Sequence, residues 1–134
     1  MKIVLDTNVL VSAILKPGSN PARMLRLILQ GDIYIVVNSH ILAEYYEILR
    51  RPKFNLDIDF VEVVLEFIRT KGINAPALAE TFFLPDSTDE PFLEAALAAR
   101  ADALITGNIK HFPKKSCKGQ NVVSTINFLN ELGQ

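Results

Sequence analysis

Four acidic residues from distant parts of the chain, Asp6, Glu44, Asp86 and Asp89, stand near the polar residues Thr7, Asn8 and Asn108 at points where a fold can gather them. Carboxylates collected on one edge repel one another and raise their own pKa values. A divalent cation relieves that cost. Oxygen-only donors favour Mg2+ or Mn2+ over zinc, which prefers His or Cys. An ion held this way keeps room for phosphate oxygens and lowers the pKa of a bound water towards a usable nucleophile. The implied chemistry is metal-assisted attack on a phosphate ester. Lys110, Lys114, Lys115 and Lys118, which follow Asn108 with no acid between Gly107 and Gln120, are suited to carry the backbone of a polyanion past such an ion.

These residues need elements to position them. Lys2–Asp6 (KIVLD) is a short apolar run that predicts a buried strand, and VLVSAIL continues it as a helix until Lys16-Pro17-Gly18. Asn20 with Pro21 marks the next helix start, carried by Met24, Leu27 and Ile28 up to Gly31. Ile33–Val37 (IYIVV) predicts a second strand, and Ser39 caps a helix with the core stripe Ile41, Tyr45, Ile48 and Leu49, which Pro52 ends. From about Asp57 to Lys71, Phe60, Val61, Val63, Val64, Leu65, Phe67 and Ile68 cover close to half a helix's circumference. That width predicts deep burial, with a partner-facing surface as the alternative. Thr81–Leu84 (TFFL) predicts a strand, about Asp89 to Arg100 a helix, Ala103–Thr106 and Val122–Val123 two more strands, and Thr125–Leu132 a closing helix. Strands alternating with helices predict an α/β fold, a mainly parallel sheet with helices on both faces.

In an open α/β sheet, sites form beyond the carboxyl ends of the strands. Asp6 ends the first strand, with Thr7 and Asn8 directly after it. Asn108 lies just past Thr106, where Gly107 permits a sharp turn. Glu44 falls about 40° beyond Ile48, at the border of its helix's apolar stripe, whereas Glu47 faces solvent. Asp89 and Glu90 open the helix before Ala103, with Pro91 in its first turn and Asp86 three residues upstream of Asp89. Each acid also has a plainer role: Asp6 and Asp89 as helix caps, Glu44 as a surface carboxylate. Thr7, Asn8, Glu90 and Thr106 are the supporting neighbours.

The remaining composition narrows the class. The chain has 134 residues, 15 acidic and 14 basic, a net charge of −1 and 49% hydrophobic residues, as expected of one soluble globular domain over residues 1–134. The lone Cys117 excludes a disulfide framework or a CxxC zinc site and suggests a reducing compartment. No apolar run approaches membrane-spanning length, so a cytoplasmic protein is expected. His40 and His111 are assigned no role, Tyr45, Phe82 and Phe83 are assigned to the core, and Cys117 to the surface. Dinucleotide binding is disfavoured because no GxGxxG follows a strand.

MKIVLDTNVLVSAI, Glu44 in the helix after the second strand, PDSTDEPFLEAALAARADALITGN and VVSTINFLNEL together resemble the PIN domain, and more narrowly the toxin components of toxin–antitoxin systems akin to VapC toxins. The resemblance implies a three-layer α/β/α sandwich and a Mg2+- or Mn2+-dependent ribonuclease that cleaves RNA with metal-activated water. It places the acidic positions on Asp6, Glu44 and Asp89, with Asp86 or Glu90 as neighbours or substitutes, and Glu44 as a candidate base. It also implies a cognate antitoxin that covers the site, and frequent homodimers. The sequence departs from the resemblance at Asn108, where many relatives carry Asp; an amide can coordinate or orient but brings no charge.

Two other readings remain. A catalytically weak or silent PIN module acting as a binding partner is favoured by Asn108. An aspartyl-phosphate enzyme is suggested by the likeness of DTNVL to the start of haloacid-dehalogenase-like phosphatases. Asn8 stands there in place of the second Asp, and the lysine and acidic pair that this chemistry needs are missing.

Overall fold

The computed structural model describes residues 1–133. Its central strand is β1 (Lys2–Leu5), in which Ile3, Val4 and Leu5 are essentially inaccessible. Such a run, apolar at successive positions, suits a strand covered on both faces. α1 (Thr7–Leu15) and α2 (Asn20–Leu29) lead into β2 (Tyr34–Val37). α3 (Ser39–Leu49) and α4 (Ile58–Lys71) lead into β3 (Ile73–Asn74), and α5 (Glu90–Ala98) into β4 (Ala103–Ile105). β5 (Val122–Val123) and α6 (Thr125–Glu131) complete the chain.

The five strands are all parallel, in the order β3-β2-β1-β4-β5. The chain therefore winds outwards from β1 in one direction, then returns to β4 and winds in the other. Right-handed crossovers place α5, which returns the chain to β4, on the face opposite α1 and α2. α5 packs on β1, β2 and β4, while α2 packs with both α1 and α6 and α6 also meets β4. The result is a three-layer α/β/α sandwich. Between β1 and β4, paired in register from Ile3 with Ala103 to Leu5 with Ile105, the winding reverses and leaves a crevice at the carboxyl ends.

Several expectations shift. Ser19 and Asn38, not Asn20 and Ser39, cap α2 and α3, through the amides of Ala22 and Ile41. Thr81–Leu84 is not a strand: the edge of β2 is taken by Ile73–Asn74, directly after α4. Phe82 and Leu84 still turn into the core, but Phe83 is 77% exposed, contrary to its assignment. Cys117 is buried rather than on the surface, and burial pushes its thiol pKa up. Deep burial also fails for part of α4. Val61, Val64, Leu65 and Ile68 are inside, yet Ile58, Phe60 and Val63 are exposed. Phe67 lines an apolar groove of about 270 Å³ with Ile28, Leu29 and Tyr34. Among the described residues no helix is long and apolar enough to cross a membrane.

Candidate functional site

The crevice begins with the strand that supplies Asp6. The Asp6 amide donates to the Ile105 carbonyl at 2.9 Å, so the ladder between β1 and β4 runs to its end at this residue. The Asp6 side chain is 6% exposed and makes no capping bond to α1, although the residue occupies the N-cap position. Its Oδ2 accepts 2.8 Å from the hydroxyl of Thr106, which is fully buried and in turn accepts 3.0 Å from the Asn108 amide. Burial pushes the Asp6 pKa up; the Thr106 hydroxyl, the Thr7 amide and the charge of His111 pull against that rise.

Glu44 reaches the crevice from α3. The buried Tyr45 hydroxyl donates 2.5 Å to the Leu5 carbonyl, and Asn38 Nδ2 donates 3.0 Å to the Pro91 carbonyl, fixing α3 against β1 and the start of α5. Glu44 is half-buried and accepts a hydrogen bond from the Thr7 hydroxyl. Glu47, on the solvent side, pairs with Arg51 at 2.8 Å.

The third wall is the approach to α5. Asp86 accepts from the Thr88 amide at 3.0 Å and hydroxyl at 2.7 Å, which hold its pKa below the ordinary carboxylate value. Asp89 occupies the N-cap of α5 without using its side chain to cap it. That side chain is 13% exposed and lies 3.1 Å from His111 Nδ1. Burial, then the neighbouring charges of Asp6 and Asp86, raise its pKa from 3.8 to about 6 against the pull of His111. Donor atoms of Asp86, Asp89 and His111 lie within 4.8 Å of one another, a tighter group that among the described residues does not include Asp6 or Glu44.

One cleft of about 280 Å³ takes in Asp6, Thr7, Asn8, Glu44, Asp86, Asp89 and Asn108. Glu90 instead turns away and accepts from the Leu84 amide at 3.2 Å, holding the preceding loop. Lys110, Lys114 and Lys115 do not line the cleft; they are exposed on the short turns that follow Asn108, and Lys114 borders a separate cavity of about 550 Å³. Lys118 bridges Glu80 at 2.8 Å and is spent pinning the segment before α5. Sequence reasoning gave no site role to His111, Arg51, Lys53, Phe54 or Thr88, all of which line the cleft. A His before Phe112 reads as packing, and Arg51 and Lys53 flank the helix-ending Pro52, so only the spacing of His111 after Asn108 offered a signal.

The donor chemistry fits a divalent cation. Four carboxylates share one small cleft, and two of them carry raised pKa values, Asp6 through burial and Asp89 through burial followed by the charges of Asp6 and Asp86. Asp6, Glu44, Asp86 and Asp89 are the residues available to hold it.

The chain is similar to known proteins over most of its length. A family model described as PIN domain matches residues 2–110. The fold is similar to a chain in the crystal structure of VapBC2 from Rickettsia felis bound to a DNA fragment from their promoter, with a TM-score of 0.60 and 22% identity over 92% of this chain and 98% of that one. Comparison with curated proteins finds no match.

Proposed function

The chain belongs to the PIN domain family, and from that premise we propose that it is a Mg2+- or Mn2+-dependent ribonuclease, the toxin of a toxin–antitoxin pair. The observation that carries this reading is the convergence of Asp6, Glu44, Asp86 and Asp89 in one cleft at the point where the sheet reverses its winding. Asp6, Glu44 and Asp89 would hold the ion, with Asp86 beside them. When bound, such an ion supplies charge neutralisation for the phosphodiester and acidifies a water for in-line attack.

The chain's own residues do the rest. The Thr106 hydroxyl, itself held by the Asn108 amide, donates to Asp6 and fixes that carboxylate at the cleft. The Thr7 hydroxyl holds Glu44, whose other oxygen accepts the proton of the attacking water. The Asn108 side-chain amide orients substrate or water without adding charge. Arg51 and Lys53 on the cleft wall, with Lys110, Lys114 and Lys115 beyond it, offset the repulsion between an acidic cleft and an RNA backbone.

A cognate antitoxin is the expected protein partner, and the VapBC2 complex supports that expectation. The exposed apolar side of α4 and the groove between α2 and α4 suit such a partner or a second copy of the chain in a homodimer. The cytoplasm is the compartment consistent with an RNA substrate.

The test is Mn2+-dependent cleavage of RNA by the wild type, Asp6→Asn and Asn108→Asp. Asp6→Asn loses more than the roughly 10–100-fold that outer-shell substitutions cost, and Asn108→Asp keeps or raises the rate. Unchanged cleavage in Asp6→Asn sinks the assignment. The uncharged Asn108 favours a second reading, a silent module that binds metal and partner without cleaving; Mn2+ binding with no cleavage of varied RNAs selects it.

A further inference from the structure

We propose that His111 is a ligand of the metal site, so that this chain holds its ion through a mixed nitrogen and oxygen set and favours Mn2+ over Mg2+. The inference rests on the metal-dependent reading above and sharpens it, since the carboxylates alone imply an all-oxygen site.

The placement of the ring comes from the backbone. After β4, Gly107 and Asn108 lead into a short 3-10 turn, Ile109–His111, closed by the His111 amide donating 3.0 Å to the Asn108 carbonyl. Phe112 is buried and anchors the end of the turn in the core. The turn thereby presents the neighbouring imidazole to the cleft instead of to the interior. Its side chain remains 45% exposed, so packing does not account for its position.

The donor atoms are spaced for shared ligation. His111 Nδ1 lies 3.1 Å from Asp89 Oδ2, and Asp86 completes a group within 4.8 Å. Two adjacent ligands of an octahedral ion, each about 2.1 Å from it, stand about 3 Å apart. The separation that a hydrogen bond spans between Asp89 and His111 is therefore also the separation that a cation bridges.

The chemistry then sets the preference. Mg2+ is a hard ion that takes oxygen and releases water reluctantly, whereas imidazole suits transition metals. At the position after Gly107, this chain carries the neutral Asn108 and, three residues later, a nitrogen donor. His111 adds a ligand without adding negative charge to a cleft already crowded with carboxylates.

The experiment adds Mn2+ alone to the full chain and records electron spin echo modulation from ligand nitrogen, together with Mn2+ and Mg2+ affinities by calorimetry. Wild type shows a directly coupled imidazole 14N and binds Mn2+ at least 10-fold more tightly than Mg2+. His111→Ala loses the nitrogen signal and most of that preference, which also excludes the exposed His40 as its source. His111→Asp recovers affinity for both ions without the nitrogen signal, which guards against a general loss of fold. If Mn2+ binds, and Asp89→Asn weakens it, but no 14N coupling is seen or His111→Ala leaves the preference intact, the ligand assignment is overturned while the nuclease reading stands. If Mn2+ does not bind the wild type at all, both fall.

Discussion

The Tyr45 hydroxyl is hydrogen-bonded to the carbonyl of Leu5, joining the residue after Glu44 to the residue before Asp6. Two carboxylates that are 38 positions apart in the chain are thus set against each other by one buried bond between their neighbours. Tyr45→Phe keeps the ring contact with Phe92, whose centroid lies 6.5 Å away, and removes only the bond. Leaving a buried carbonyl unpaired costs about 1–3 kcal/mol. Urea denaturation is expected to report that loss, and Mn2+ affinity is expected to fall with it as Glu44 loses its anchor. A variant with unchanged stability and affinity shows that the bond does not position the site.

Thr106 has two duties, donating to Asp6 and accepting from the Asn108 amide. Thr106→Val preserves the shape of this fully buried side chain and removes both. The lost donor lets burial push the Asp6 pKa higher still, so the pH at which half-maximal Mn2+ binding occurs moves up. Titrations of metal binding between pH 5 and 8 measure the shift. No movement means that Thr106 fills space and nothing more.

The pKa of Asp89, raised from 3.8 to about 6, makes a signed prediction about stability. Between those values the unfolded chain has released this proton while the folded chain keeps it, so the folded state binds more protons and this residue's contribution to stability falls as pH rises from about 4 to 6. Above that window the penalty is constant. In chelator, the urea midpoint of wild type relative to Asp89→Asn is expected to decline across the window and then level. Metal binding has the opposite slope, tightening as pH rises through about 6, because the ligand must lose its proton.

Gly72 stands where α4 stops and β3 starts. A Cβ there meets the Ile68 carbonyl oxygen at 2.5 Å and the Val37 side chain at 3.3 Å. Backbone cannot yield as a flexible side chain does, so Gly72→Ala is expected to cost about 1–3 kcal/mol. The chemical denaturation midpoint checks it, and near-wild-type stability shows that the helix end shifts freely.

Much of this arrangement was legible in the chain. The run IVL of Ile3–Leu5, apolar at every position, and the β-branched IVV announced strands covered on both faces, and the strand-end rule then carried Asp6 and Asn108 to one edge without any contact being known. Glu44 was recoverable from the helical wheel alone, because its angle from Ile48 differs from that of Glu47. What failed was competitive. TFFL alternates inside and outside as a strand does, but whether it pairs depends on an edge that Ile73 and Asn74 occupy. The exposed Phe60 and Val63 fall on a face read as buried in preference to partner-facing, because periodicity reports apolar width and not the amount of protein available to cover it. His111 was missed because its partner is Asp89, 22 residues earlier, and that pairing exists only through the crossover from α5 to β4.

The pairing of Leu5 with Ile105 has a consequence for the order of events during synthesis. The innermost strand is made almost first, yet it lacks its second neighbour until a hundred further residues have been polymerised. An unfinished chain therefore lacks the crevice in which Asp6, Glu44 and Asp89 meet, and whatever that crevice binds must wait for the ladder to close.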